Sequence, residues 1–118
     1  MDPIIFACSG SADVGEITDR AARKLAREGV AKLHCTTAMG AHVESFVKFV
    51  QQAETVVTID GCNMNCATKC LHEAGVKQAR SVSLDALGFK KGETPVAEER
   101  IECVAEAVRH LLDTSSRR

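Results

Sequence analysis

The sequence contains no Trp, no Tyr and only four Phe among its 118 residues. Proteins that bind single-stranded nucleic acid usually stack the bases on aromatic side chains, so this composition argues against that function. The formal net charge is only -1, which gives no electrostatic reason to expect nucleic acid or an anionic membrane as a partner. We therefore expect neither of these partners, and the sequence indicates no particular protein partner.

Long apolar segments and targeting signals are also missing. No apolar run approaches the roughly 20 residues that a helix needs to span a bilayer. The first eight residues lack the basic region and the length of a signal peptide. These features predict one cytoplasmic domain. In a reducing compartment, the six cysteines of this chain indicate metal or thiol chemistry rather than disulfides.

The hydrophobic pattern predicts four strands that alternate with four helices. Short apolar or β-branched runs predict strands at 4–7, 31–35, 55–59 and within 76–84. Amphipathic stretches predict helices at 14–28, 41–53, 65–74 and from 95 to a fraying tail at 115–118, with loops at 36–40 and 85–93. This alternation predicts a three-layer, doubly wound, Rossmann-like α/β fold. Its parallel sheet would have the strand order 2-1-3-4, with helices on both faces.

Local signals refine the helices of this prediction. Asp13 and Glu16 have the spacing of a capping box at the start of the first helix. Thr94 and Pro95 are typical of the cap and the first position of the last helix. The second helix is expected to bury one apolar face, formed by Val43, Phe46, Val47 and Val50.

Three of the predicted strands end at a cysteine, namely Cys8, Cys35 and Cys62. Parallel strands share one carboxyl edge and lie about 4.8 Å apart, so these three thiols are expected to be neighbours. Cys66 follows in the first turn of the third helix, four residues after Cys62, a spacing found in metal-ligand pairs. Four thiolates suit zinc, with an iron–sulfur cluster or Cu(I) as alternatives. Packing in the core is the alternative role for each single cysteine.

The other candidate residues receive weaker predictions. Cys70 lies one turn beyond Cys66 and is expected to pack, so Cys66→Ser should cost metal affinity and Cys70→Ser only a little packing. Cys103, in the last helix, is expected to lie far from the strand ends. His42 is expected to be an exposed polar residue, with a hydrogen-bond donor to the site or a substitute metal ligand as the alternatives. Asp60 precedes a glycine, which favours a turn role over accepting N–H groups of the cysteine loop.

The order and spacing of these motifs resemble the DGC-domain family, a group of small proteins to which zinc binding is ascribed. The resemblance spans Ile5 to about Gly88 and implies an α/β fold and zinc binding, without a settled reaction. The family's four cysteines match the four predicted ligands. This chain departs from many relatives at residues 36–39, where they have small and apolar residues, and by the additional Cys70. The motifs that carry the resemblance are Cys8-Ser9-Gly10, Val14-Gly15, Cys35, Ile59-Asp60-Gly61-Cys62 and Cys66.

Three functions are compatible with this pattern. A closed four-cysteine zinc site would be structural, or would sense or carry metal. A thiol enzyme of the phosphatase or phosphotransfer type would use Cys8 as its nucleophile, but the phosphate-clamping Arg is missing and Asp13 occupies that region. A redox protein would use Cys62 and Cys66, whose spacing is longer than C-x-x-C. Metal binding is the prediction, and whether the protein is an enzyme stays open.

Overall fold

A computed structural model describes residues 2–116 of the chain. The last two residues of the predicted fraying tail, 117 and 118, lie outside the described residues. The strands are β1 (Ile4–Ala7), β2 (Lys32–Leu33), β3 (Val56–Asp60) and β4 (Arg80–Ser83). The helices are α1 (Asp13–Arg27), α2 (Thr36–Gly40), α3 (Glu44–Gln51), α4 (Cys66–Glu73) and α5 (Glu98–Ser116).

The four strands form one parallel sheet in the order β2-β1-β3-β4, which confirms the predicted topology. Every residue of β1 and β3 is buried, as expected for the central strands of a sheet that is covered on both faces. The edge strands β2 and β4 are partly exposed. Since the chain reverses its direction of growth at β1, the carboxyl ends of β1 and β3 flank the switch point of the fold.

Helices cover both faces of the sheet, and side chains alternate between the two faces along each strand. Ile5 and Ala7 of β1 belong to a core that α1 and α5 complete, and this side is called the α1/α5 face. Ile4 and Phe6 belong to a smaller core completed by α2, α3 and α4, called the α2–α4 face. Among residues 2–116, no helix is long and apolar enough to cross a lipid bilayer.

The segment after β2 differs from its prediction. The expected loop at 36–40 is the helix α2, and the expected helix at 41–53 is reduced to α3. The two helices are separated by His42, whose φ of 57° lies in the left-handed region and interrupts any continuous helix. Only part of the predicted apolar face is buried: Val50 is fully covered, whereas Val43 and Phe46 are 40% and 41% exposed.

The start of α5 also differs from its prediction, for a tertiary reason. Asp13 is the first residue of α1 and not its N-cap. Its Oδ1 accepts the Val14 N–H at 2.8 Å and the Gly92 N–H at 2.9 Å, and its Oδ2 accepts the Thr94 N–H at 3.0 Å. The Thr94 hydroxyl donates to the Lys90 carbonyl. These bonds hold 90–94 as a loop, so α5 begins at Glu98. They also lower the pKa of the Asp13 carboxyl, because backbone N–H groups stabilise its charged form.

Candidate functional site

A cleft of about 880 Å³ opens between the ends of the neighbouring strands β1 and β2 and the helices α1, α2 and α4. Four thiols line it, those of Cys8, Cys35, Cys66 and Cys70, and this space is called the cysteine cleft. Its walls also include polar side chains from the loop after β1, from α1 and from the start of α2. These are Ser9, Asp19, Arg23, His34, Thr36 and Thr37. Three of the four predicted ligands therefore share one cleft.

Cys8 follows β1 directly and is fixed by the adjoining helix. Its N–H donates to the Ile59 carbonyl at 3.1 Å, so the β1–β3 pairing continues to the cysteine. Its Sγ lies 3.3 Å from Oγ1 of Thr18, a buried residue of α1. The Thr18 hydroxyl donates to the Gly15 carbonyl at 2.8 Å. Its oxygen accepts the Ser9 N–H at 3.3 Å and has a second lone pair that can accept the S–H of Cys8.

Two glycines of the family-like motifs allow the loops at the sheet edge to pack closely. A Cβ on Gly15 would lie 2.5 Å from the Gly10 carbonyl oxygen, a separation too short for any other residue type. A Cβ on Gly61 would lie 3.1 Å from both the backbone and the side chain of Val14. Both loops, after β1 and after β3, therefore rest against the start of α1, and this contact fixes the region around Cys8 and Cys62.

Cys35 reaches the cleft as the residue that precedes α2. The strand β2 ends two residues earlier, at Leu33, so Cys35 lies beyond the strand end. The hydroxyl of the next residue, Thr36, donates to the Ala7 carbonyl at 2.7 Å. This bond ties the start of α2 to the end of β1, where Cys8 begins its loop. The side chain of Cys35 is exposed.

Cys66 is the first residue of α4 and Cys70 lies one turn later, and both line the cleft. The residue before α4, Asn65, has a φ of 54°, so the backbone turns sharply at the helix start. Its N–H donates to the Cys62 carbonyl at 3.2 Å and closes this turn. Cys62 is partly buried and does not line the cysteine cleft. The turn thus separates Cys62 from the helix face that carries Cys66 and Cys70.

Asp60 is fully buried at the end of β3 and holds α4 in place. Its Oδ1 accepts the Ala67 N–H at 2.9 Å, and its Oδ2 accepts the hydroxyls of Thr68 at 2.6 Å and Ser81 at 3.1 Å. No side chain of Asn65 caps the helix, so this carboxylate caps α4 from the preceding strand. The turn role that the sequence favours for Asp60 is wrong, and the alternative role, accepting N–H groups of the cysteine segment, is correct.

The electrostatic environment differs among the cleft residues. Burial raises the pKa of the Cys70 thiol, and the neighbouring Cys66 and Asp60 raise it further. The Cys70 Sγ lies 3.5 Å from the position that a Cβ on Gly40 would occupy, so this thiol sits against α2. Burial and the charge of Lys32 lower the pKa of His34. The His34 ring stacks on Phe49 of α3, with the ring centroids 5.2 Å apart.

The donors of the cleft are close neighbours but do not form a finished metal centre. In the part of the chain that the structure describes, no three Cys, His, Asp or Glu side chains are grouped so that they could hold one ion. All six cysteines are free thiols.

Cys103 is exposed on α5, on the opposite face of the sheet. His42 does not line the cleft, whereas Cys70 does, although the sequence predicts packing for it. The one-turn spacing between Cys66 and Cys70 is the feature of the sequence from which the place of Cys70 in the cleft could have been predicted.

Comparison with known proteins supports the resemblance seen in the sequence. A family model for the DGC domain matches residues 4–108. The chain is also similar to the anaerobic and virulence modulator AnvM of Pseudomonas aeruginosa. The two are 28% identical over 118 residues, which cover 98% of this chain and 90% of AnvM. No solved structure matches the chain.

Proposed function

The chain belongs to the DGC-domain family, and from this premise we propose that it is a zinc-binding protein whose cysteines hold one metal ion at the carboxyl edge of the sheet. The observation that carries the proposal is the convergence of Cys8, Cys35 and Cys66 on one cleft. They come from three separate segments of the chain. Cys62 is the fourth ligand that the sequence predicts.

The chemistry of this donor set fits a thiophilic ion. Zinc binds thiolate sulfur at about 2.3 Å and prefers four tetrahedral ligands. The thiols of the cleft are free, and Cys66 is the first residue of α4, on the wall of the cleft. Bound zinc would cross-link the separate segments of the chain that carry these thiolates, at the edge of the sheet. Since the described thiols are not yet grouped around one point, metal binding must narrow the cleft.

A structural, sensing or carrying role follows from such a site, because four thiolates would leave no open coordination position. The similarity to a protein named as a modulator favours a sensing role. A cytoplasmic location is part of the proposal, because a reducing compartment keeps cysteines available for metal binding.

A thiol enzyme has less support from the same geometry. A nucleophilic cysteine needs a general base or a nearby cation that activates it. The polar side chain in contact with the Cys8 sulfur is the hydroxyl of Thr18, which already donates to a backbone carbonyl. Arg23 lines the cleft, but its side chain is 60% exposed and its Nε pairs with Asp19 at 2.7 Å. Neither group activates Cys8.

Metal analysis of protein purified without a chelator tests the proposal. We expect about one zinc per chain, and cobalt substitution should produce thiolate-to-metal absorption bands. These bands are easy to observe because the chain has no Trp or Tyr. Cys66→Ser should lose the metal, whereas Cys103→Ser is the matched control and should retain it. Protein without metal, or cobalt bands without sulfur character, would contradict the proposal.

A further inference from the structure

The helix α3 carries an apolar surface that is open to solvent. Of its eight residues, all within the described range, only Val50 is buried. Three of the five large apolar side chains exposed among residues 2–116 lie in this segment, those of Val43, Phe46 and Phe49. These three residues are called the α3 stripe. The chain has only four Phe, so half of them are placed on this exposed surface.

A helix as short as α3 gains from a surface that covers its stripe. Isolated helices shorter than about 12 residues are barely stable in water, and helices in proteins owe most of their stability to the packing of an apolar face. The left-handed His42 separates α3 from α2, so α3 cannot draw on a longer helix. Contiguous exposed apolar side chains also mark interaction sites on soluble proteins. The α3 stripe therefore has the character of a binding surface.

The composition of α3 favours a protein as the occupant of this surface. A helix that lies on a membrane carries many Lys and Arg on its polar face, whereas the one cation of α3, Lys48, pairs with Glu44 at 2.8 Å. The cleft beside Phe46 and Phe49 has about 320 Å³ and four lining residues, which is close to the lower limit for a small-molecule site. Aromatic side chains are enriched in protein–protein interfaces.

The spacing of the α3 stripe makes it complementary to its own copy. Val43 lies three residues before Phe46, and Phe49 lies three residues after it. In a two-fold symmetric contact, if residue i of one chain touches residue j of the other, residue j of the first also touches residue i of the second. With two copies of α3 antiparallel and Phe46 on the axis, each Val43 meets the Phe49 of the second copy.

The charges of α3 are compatible with this contact between identical surfaces. A two-fold axis through a charged surface would bring like charges together. Glu44 and Lys48 lie about 160° around the helix from Phe46, and they pair with each other. The α3 stripe therefore meets its copy without repulsion. The antiparallel arrangement also places the positive end of each helix beside the negative end of the other.

We propose that the α3 stripe binds a second copy of this chain and forms a two-fold symmetric dimer, in which the two α3 helices pack antiparallel around Phe46. Stable complexes bury about 800 Å² on each partner, which is more than three partly exposed side chains provide. The dimer is therefore of the transient kind and forms as the protein concentration rises. The inference does not depend on metal binding, because the lining of the cysteine cleft comes from elements other than α3.

Sedimentation equilibrium of the full chain tests the proposal, with a reductant present so that no disulfide links two chains. Between about 1 μM and about 1 mM, the average mass should rise from the 12.7 kDa of one chain towards about twice this value. Phe46→Glu places two carboxylates at the axis and should keep the mass of one chain throughout. Leu87→Glu is the matched control, since Leu87 is a similarly exposed apolar residue in the turn after β4, and it should associate like the wild type.

Other outcomes would overturn the proposal. A wild type that keeps the mass of one chain up to about 1 mM would show that a different protein, and not a second copy, is the occupant of the stripe. Association that persists in Phe46→Glu, or that Leu87→Glu also loses, would place the contact elsewhere. As a second measurement, hydrogen exchange within α3 should slow at high concentration in the wild type and not in Phe46→Glu. Far-ultraviolet circular dichroism checks that both variants fold.

Discussion

The two faces of the sheet are built differently. The α1/α5 face is covered by helices of 15 and 19 residues that complete a large apolar core. The α2–α4 face is covered by helices of five, eight and eight residues over a smaller core. On the latter face Phe46 and Phe49 of α3 are 41% and 44% exposed. The α1/α5 face holds the larger apolar core, whereas the α2–α4 face is packed more lightly and carries Cys66 and Cys70 on α4.

The ion pairs of the two faces differ in the same direction. On the α1/α5 face, Arg109 of α5 pairs with Glu28 beyond the end of α1, at 2.6 Å, and with Glu102 of its own helix. Lys24 of α1 pairs with Glu102 as well, so the charges connect two elements. On the α2–α4 face, the pair between Lys48 and Glu44 lies within one helix. Electrostatics therefore join the helices of the first face to each other.

Shortening one apolar side chain on each face, a buried one and a partly exposed one, gives the largest expected effect. Leu25→Ala removes a fully buried residue of α1 and should lower the free energy of unfolding by about 3 kcal/mol, through lost burial and the remaining cavity. Phe46→Ala is the matched change on α3 and should cost less than about 1 kcal/mol, because its ring is 41% exposed. Urea denaturation monitored by circular dichroism measures both. Equal losses would show that the two faces contribute alike to stability.

A smaller effect is expected where the cysteine helix is attached to the sheet. Asp60→Ala should lower the free energy of unfolding by about 2 kcal/mol, because it leaves buried donors without an acceptor. Since the carboxylate caps α4, hydrogen exchange should accelerate most in the first turn of that helix. Asp60→Asn retains one acceptor oxygen and should cost less. Unchanged exchange in α4 of the alanine variant would contradict the capping role.

The smallest effect concerns the ion pairs of the α1/α5 face and depends on pH. Hydrogen bonds from Arg109 and Lys24 lower the pKa of Glu102 from 4.5 to about 2. A carboxyl group whose pKa is lower in the folded state stabilises the fold above about 4.5, and this contribution is lost as the pH falls through about 2.

The urea midpoints of the wild type and Glu102→Gln should therefore differ by a constant amount from pH 7 to 5 and converge in acid. Because these charges are partly exposed, added salt should reduce the difference. A difference that does not change between pH 5 and pH 2 would show that the charge of Glu102 does not contribute to stability.

The sequence predicted those elements whose signal is local. The apolar runs of β1 and β3 predicted the central strands within about one residue. The alternation of strands and helices predicted a parallel sheet, and the strand order 2-1-3-4 chosen for it is confirmed. The predicted start of α5 was wrong, because Asp13 binds the N–H groups of Gly92 and Thr94 and keeps this segment as a loop. This contact joins residues about 80 positions apart, and no pattern near Thr94 announces it.

The candidate site shows the same limit. The rule that parallel strands end at one edge predicts Cys8 and Cys35 at the same edge, and both line the cleft that Cys66 also lines. The position of Cys62 depends on the left-handed conformation of Asn65, and the break between α2 and α3 depends on that of His42. Asn is among the residues that adopt the left-handed conformation readily, but whether a particular Asn adopts it depends on its surroundings. Such single-residue turns determine which thiols face the cleft.

The stacking of His34 on Phe49 makes this imidazole a natural spectroscopic reporter. Its ring protons experience the ring current of Phe49, which separates their NMR resonances from those of the other three histidines. His34 also lines the cysteine cleft and the smaller apolar cleft beside Phe46. With no Trp or Tyr in the chain, the aromatic ring signals come only from four Phe and four His. Entry of a ligand into the cleft can therefore be followed at one residue, without isotopic or fluorescent labelling.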